Sequence, residues 1–158
     1  VRDTRIAQLY EGTNGIQAAD LIGRKLTRDG GDMLKATVDL LTARVEAMSD
    51  SDKQSQAQTI LQEWQETSMA LLGAKAEDVA GAATDYLHYS AYCILGVLWL
   101  DMASVASHSN NPLIAKGKAN TCAFYLKRLL PRKNVHKSVV LEAADDLMAV
   151  EDQQFDYV

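Results

Sequence analysis

The residues best equipped for chemistry lie near the start of the chain, in Tyr10-Glu11-Gly12-Thr13-Asn14-Gly15-Ile16-Gln17. Here a carboxylate stands at the junction of two helix-like stretches, with two glycines close behind it. Glycine lets another molecule approach the backbone closely. The amides that open the following stretch can receive a phosphate or another anion. A carboxylate in a partly apolar junction can have a raised pKa and act as a general base. Residue type and spacing alone leave a second reading open, because a Glu before a Gly turn is commonly a solvated helix-end residue.

Other titratable residues carry less. His88 shares a helical stretch with Tyr86, Tyr89 and Tyr92 and is expected to be a hydrogen-bonded packing residue. His108 and His136 stand in polar surroundings without partner spacing. Trp64, Trp99 and the tyrosines are expected in the core. Asp101 follows an apolar run and must be paired or exposed, since a lone buried charge is costly. Cys93 and Cys122 are expected to pack as small apolar residues. Two cysteines give no disulfide framework, and no Cys-x-x-Cys or His-rich spacing marks a metal site.

The stretch from Arg2-Asp3-Thr4-Arg5-Ile6-Ala7-Gln8-Leu9 through Tyr10-Glu11-Gly12-Thr13 to Ile16-Gln17 closely resembles the C-terminal signature of the flavin-dependent acyl-CoA dehydrogenase family. That resemblance implies that Glu11 is the catalytic base, taking a proton from the α-carbon of an acyl-CoA thioester. The β-hydrogen then leaves as hydride to FAD, giving a trans-2-enoyl-CoA. An α-proton of a thioester is only weakly acidic, so the base must be desolvated and held in reach. By the same resemblance Gly12 lies beside the acyl-CoA, and Thr13, Asn14 and Gly15 form a short run that contacts FAD. Relatives often carry Glu or Gln where this chain has Gly15, so only backbone contact is expected there. Electron-transfer flavoprotein and a homo-oligomer are the partners that the family implies.

The resemblance is strongest over the first seventeen residues, yet about 130 follow Arg28. This implies the subgroup with an added C-terminal helical region, and the closing Leu147-Met148-Ala149-Val150-Glu151-Asp152-Gln153-Gln154-Phe155 resembles that subgroup's C-terminus. The expected division is 1–31, the end of the dehydrogenase's helical domain, and 32–158, a helical extension. The chain opens on Val rather than Met, with no signal peptide, which predicts a piece of a longer protein. Nothing here matches the family's N-terminal helical domain or its middle β-domain. The piece alone is therefore expected neither to hold FAD tightly nor to turn over substrate. The competing expectation is a helical oligomerisation or interaction module with no catalytic role of its own. The expected setting is bacterial cytoplasm, with the mitochondrial matrix as the second choice.

The elements that must position these residues read as helices throughout. Apolar residues recur at helical spacing between Gly30-Gly31, the polar run 49–52, Gly73, the run 107–111, and Pro131. Helices are expected over about 3–10, 14–28, 32–48, 53–72, 76–106, 113–130 and 133–145. Thr13 and Asp32 are expected N-caps. Met33, Leu40, Leu41, Val45 and Met48 are expected to form the inward stripe of the third helix. No segment alternates with period 2 for long enough to be a strand. The fold class is all-α, an antiparallel bundle of about five to six helices. The fifth helix holds about a dozen apolar residues between His88 and Asp101, too few for about 30 Å of hydrocarbon.

Charge is unevenly placed within the net −5. Residues 102–141 hold seven bases and no acid, and 142–158 hold six acids and no base. A net-acidic chain is a poor nucleic-acid binder. The basic stretch is expected to lie against acidic surface of the same fold or of a neighbouring subunit; the seven bases also motivate a weaker option, a membrane surface.

Overall fold

The computed structural model describes residues 13–157, and it is helical with no strand among them. The first expected helix, over 3–10, lies outside the described residues, as do Glu11 and Gly12. Helix α1 (Thr13–Ala19) runs on into a π-helical segment (Asp20–Thr27). Thr13, the first described residue, is itself helical. In the π segment the Arg28 amide donates five residues back to the Gly23 carbonyl (3.0 Å), and the Thr27 hydroxyl donates to the same oxygen (2.9 Å).

Helix α2 (Asp32–Glu46) follows a tight turn at Gly30 and Gly31, with φ of 67° and 89°. Both angles are left-handed and favour glycine. Gly31 also lies under Leu72, whose Cδ1 would be 2.8 Å from an added Cβ. The expected cap, Asp32, is the first helical residue. Asp29 does that work instead: its Oδ1 accepts from the Gly31 amide (3.0 Å) and its Oδ2 from the Met33 amide (2.9 Å). The turn is longer than a capping rule assumes, so the useful carboxylate lies three residues earlier.

Helix α3 (Ser51–Leu72) is capped by Asp50, which accepts from the Asp52 and Lys53 amides. The expected single helix over 76–106 is two, α4 (Ala76–Gly81) and α5 (Ala83–Ala106). The break follows Gly81, while Gly96 stays helical inside α5. Helix α6 (Pro112–Phe124) begins with Pro at its first position and Asn111 as cap, whose Oδ1 accepts from the Leu113 amide at 3.0 Å. It passes through a π turn (Tyr125–Leu129) and a 3-10 turn at Pro131 (Leu130–Arg132) into α7 (Lys133–Val140). A short α8 (Asp145–Met148) and a 3-10 turn (Asp152–Tyr157) follow.

Helices α3 and α5, and α5 and α6, are antiparallel neighbours, whereas α2 runs beside α5 in the same direction, with residues 33–37 near 86–94 and Arg44 on Asp101. Ile60 lies near Gly96, Trp64 pairs with Ser90, and Tyr86 with Ser68, so α3 and α5 run oppositely. Lys118 lies over Trp99, while Tyr125 donates to the Tyr92 carbonyl, which fixes α6 against α5 in the same sense. Helix α5 is the centre: α1, α2, α3, α6 and α7 all pack on it. Its Tyr86, Tyr89, Cys93, Val97 and Leu100 are buried. By length and composition α5 could cross a membrane, which the expectation of too few apolar residues understated; half of that apolar window is buried in the bundle.

Burying tyrosine and serine costs free energy unless they hydrogen-bond. Trp64 Nε1 donates to Ser90 Oγ (2.9 Å), Tyr86 OH to Ser68 Oγ (2.9 Å), and Ser68 Oγ to the Trp64 carbonyl (2.7 Å). Among the described residues no buried side-chain polar atom lacks a partner.

Candidate functional site

Thr13, Asn14 and Gly15 open α1 and are all exposed. A Cβ on Gly15 would meet nothing within 4 Å, and Ile16 beside it is 71% exposed. Only Ala18 ties Thr13–Ala19 into the core. Glu11 and Gly12 immediately precede this helix in the chain. The residues present could hold one edge of a flavin, through a hydroxyl, an amide and an unobstructed backbone. They do not surround a ring.

Beyond α1 the helix lines an apolar groove of about 320 Å³. Leu21, Lys25 and Leu26 of the π segment close one end, and π segments are frequent at functional sites. One wall is α2, with Met33, Leu34 and Thr37; the other is α5, with Leu87, Ala91 and Ile94. Trp64, Tyr86 and Ser90 also line it, and their polar atoms already bond within the fold. Sequence reasoning missed this groove. Its signal was a second apolar row at helical spacing: Met33 and Leu40 were expected inside but are 52% and 62% exposed, while Leu34, Val38, Leu41 and Val45 are buried. Helix α2 is apolar on two faces, and periodicity alone did not say which one faces the core.

The basic stretch divides into paired and unpaired parts. Lys133 Nζ lies 2.6 and 2.5 Å from the two Glu63 oxygens, and Lys137 Nζ lies 3.2 Å from Oε1. Burial pushes the Glu63 carboxyl up, but hydrogen bonds and charge from the two lysines outweigh it and hold it below its usual range. Lys118 stands 5.2 Å from the Trp99 ring centre. Lys116, Lys127, Arg128 and Arg132 are exposed and have no ion pair among the described residues. So part of the stretch does lie on acidic surface of its own fold.

The histidines are held differently from expectation. His136 Nδ1 is 2.7 Å from Asp85 Oδ1, and its ring stacks on His88 (5.1 Å) and Tyr92 (5.7 Å). His136 thus has a partner fifty-one residues away, beyond any local spacing rule. His88 is fixed by stacking rather than by a hydrogen bond. His108 lies near the Ser104 carbonyl and Ser107 Oγ. Asp101 pairs with Arg44 at 2.9 Å, as a charge beside an apolar run must. Cys93 and Cys122 are buried free thiols, and burial pushes Cys93 up to about 11, so it packs rather than reacts. Among the described residues no cluster of three or more His, Cys, Asp or Glu could hold a metal.

The all-α domain and the Tyr10-Glu11-Gly12 motif ahead of it fit the C-terminal helical part of an acyl-CoA dehydrogenase. The chain belongs to the family described as acetyl-CoA dehydrogenase C-terminal like, whose model matches residues 20–151. A butyryl-CoA dehydrogenase of Syntrophomonas wolfei is 31% identical over 144 residues, covering 82% of this chain and 24% of that protein. A broad-specificity linear acyl-CoA dehydrogenase of Mycobacterium tuberculosis is 25% identical over 98% of this chain and 29% of its own length. A 3-methylmercaptopropionyl-CoA dehydrogenase of Ruegeria pomeroyi is 50% identical over 42 residues, covering 27% of this chain and 7% of its own length. The chain thus spans under a third of the curated relatives it matches. No solved structure matches it.

Proposed function

We propose that this chain is the C-terminal part of a flavin-dependent acyl-CoA dehydrogenase in which Glu11 removes the α-proton of an acyl-CoA thioester. The observation that carries this is the Arg2-to-Gln17 signature standing in front of a domain of the dehydrogenase C-terminal family. The relatives' names, all dehydrogenases of CoA thioesters, support the substrate class. Glu11 accepts the proton on a carboxylate oxygen. Gly12, lacking a side chain, leaves the backbone open to the thioester. Thr13, Asn14 and Gly15 hold the edge of FAD by hydroxyl, amide and backbone contact. FAD, when bound, supplies the acceptor for the β-hydride. The remaining walls of the pocket come from the rest of the dehydrogenase chain, so residues 1–158 by themselves hold FAD weakly and leave acyl-CoA untouched. Residues 1–31 finish the catalytic helical domain, and 32–158 form the extension. The enzyme is a cytoplasmic homo-oligomer that passes its electrons to electron-transfer flavoprotein.

The test is Glu11→Gln in the full-length parent. Flavin should stay bound while its bleaching by acyl-CoA stops; unchanged bleaching would refute the assignment. A second reading, an interaction module without a catalytic role, draws on exposed Ile16 of α1 and Met33 and Leu40 of α2. It predicts that the same substitution leaves reduction intact.

A further inference from the structure

We propose that the groove between α2 and α5 seats a helix from the part of the dehydrogenase that precedes this domain, clamped by an apolar row and by a carboxylate facing Lys25. This rests on the reading that the chain is the C-terminal part of a longer dehydrogenase. The walls suit a helix. Met33 and Thr37 on α2, and Leu87, Ala91 and Ile94 on α5, line the groove at helical spacing, and Leu40 continues the α2 row beyond it, the spacing that meets another helix. Met33 and Leu40 are more than half exposed. Apolar rows facing water at helical spacing mark an interface.

The groove is poorly suited to a small ligand. Such sites orient their ligand with a few polar groups that converge on it. Here Trp64 Nε1 and Ser90 Oγ satisfy each other, and Tyr86 OH is given to Ser68. Charge favours an acidic partner at the closed end. Asp20 is shared by Arg24 (2.6 Å) and Lys25 (3.4 Å), so two cations face one carboxylate. The length of chain outside the structure supplies the occupant. Two relatives extend well beyond the matched stretch, which is 24% and 29% of their length. The family match begins at residue 20, in the segment that closes the groove. Chain that precedes Thr13 therefore joins the same continuous helix whose π segment lines the groove.

The experiment uses the full-length parent carrying Thr37→Cys or Ala91→Cys, with Asp39→Cys as an exposed control on the same helix as Thr37. Each is labelled with a maleimide and read by peptide mass spectrometry, since the native Cys93 and Cys122 are buried. The groove positions should label roughly 100-fold more slowly than the control, at any protein concentration and without acyl-CoA. Lys25→Glu should restore at least about a tenfold part of that rate. Labelling equal to the control overturns the proposal. So does protection that vanishes on dilution, which would mean a second copy, or protection that needs acyl-CoA, which would mean a ligand. Glu11-dependent flavin reduction, measured on the same proteins, separates failure of the groove from failure of the dehydrogenase reading.

Discussion

Single residues decide where the helices begin. Asp29 gives both carboxylate oxygens to amides that α2 leaves open. Asp29→Ala should therefore cost about 1 kcal/mol, seen as a lower urea midpoint with an unchanged slope. Glycines separate by environment. Gly31→Ala meets both a left-handed φ of 89° and Leu72, and should destabilise by roughly 1–3 kcal/mol. Gly117→Ala, in the middle of α6 with open space around it, should stabilise by up to about 1 kcal/mol. Thermal melts of the pair, shifted in opposite directions, would check the contrast. Melting points that move together would contradict it.

At the scale of elements, α7 is fastened to α3 by one carboxylate. Glu63 neutralises Lys133, which is buried, and Lys137. Glu63→Gln strands the Lys133 charge and should cost roughly 1–3 kcal/mol, less than a fully buried pair because Glu63 remains partly exposed. Since the folded carboxyl is held below its unfolded value, its contribution is fully present above the ordinary carboxylate range. It is lost as pH falls through the lower folded value. Urea unfolding of wild type and Glu63→Gln should accordingly separate above the ordinary carboxylate range and converge as pH falls through the lower folded value. A gap that persists unchanged to pH 2 would contradict the ion pair.

Helix positions were legible in the sequence because Pro112, Pro131, Gly30-Gly31 and the polar runs punctuate it. Helix faces were less so. In α3, where helical spacing points Ala57, Ile60, Leu61, Trp64, Leu71 and Leu72 inward, the first five are buried and Leu72 is half-buried. In α2 the apolar rows lie on two sides, and the choice depended on partners distant in sequence. The pairing of His136 with Asp85 and of Lys133 with Glu63 is likewise tertiary, out of reach of spacing rules. The candidate site was legible only as a contiguous motif. Its surroundings were not, because segments far apart in sequence build them.

Across the whole molecule the charge pattern sorts into structural and free cations. Lys116→Glu, Lys127→Glu and Arg128→Glu together touch no pair among the described residues, and should change stability by no more than about 0.5 kcal/mol per site. Lys133→Ala, by contrast, should cost several times more. Urea curves of the two variants check this. Equal losses would mean that the outer face of α6 is tied down after all. Large exposed side chains on that face, Leu113 and Phe124, lie three turns apart on one line of the helix.

The central place of α5 bears on how the chain reaches this fold. Its antiparallel partner α3 lies shortly before it in the sequence, and α6 and α7 follow it. Loop-closure entropy is therefore small for the pairing of α5 with α3, α6 and α7, and the chain can zip outward from its middle before α1 docks across a longer loop. On a ribosome α3 and α5 could pair before α6 is made. Folding of the domain would then depend little on whatever precedes residue 13.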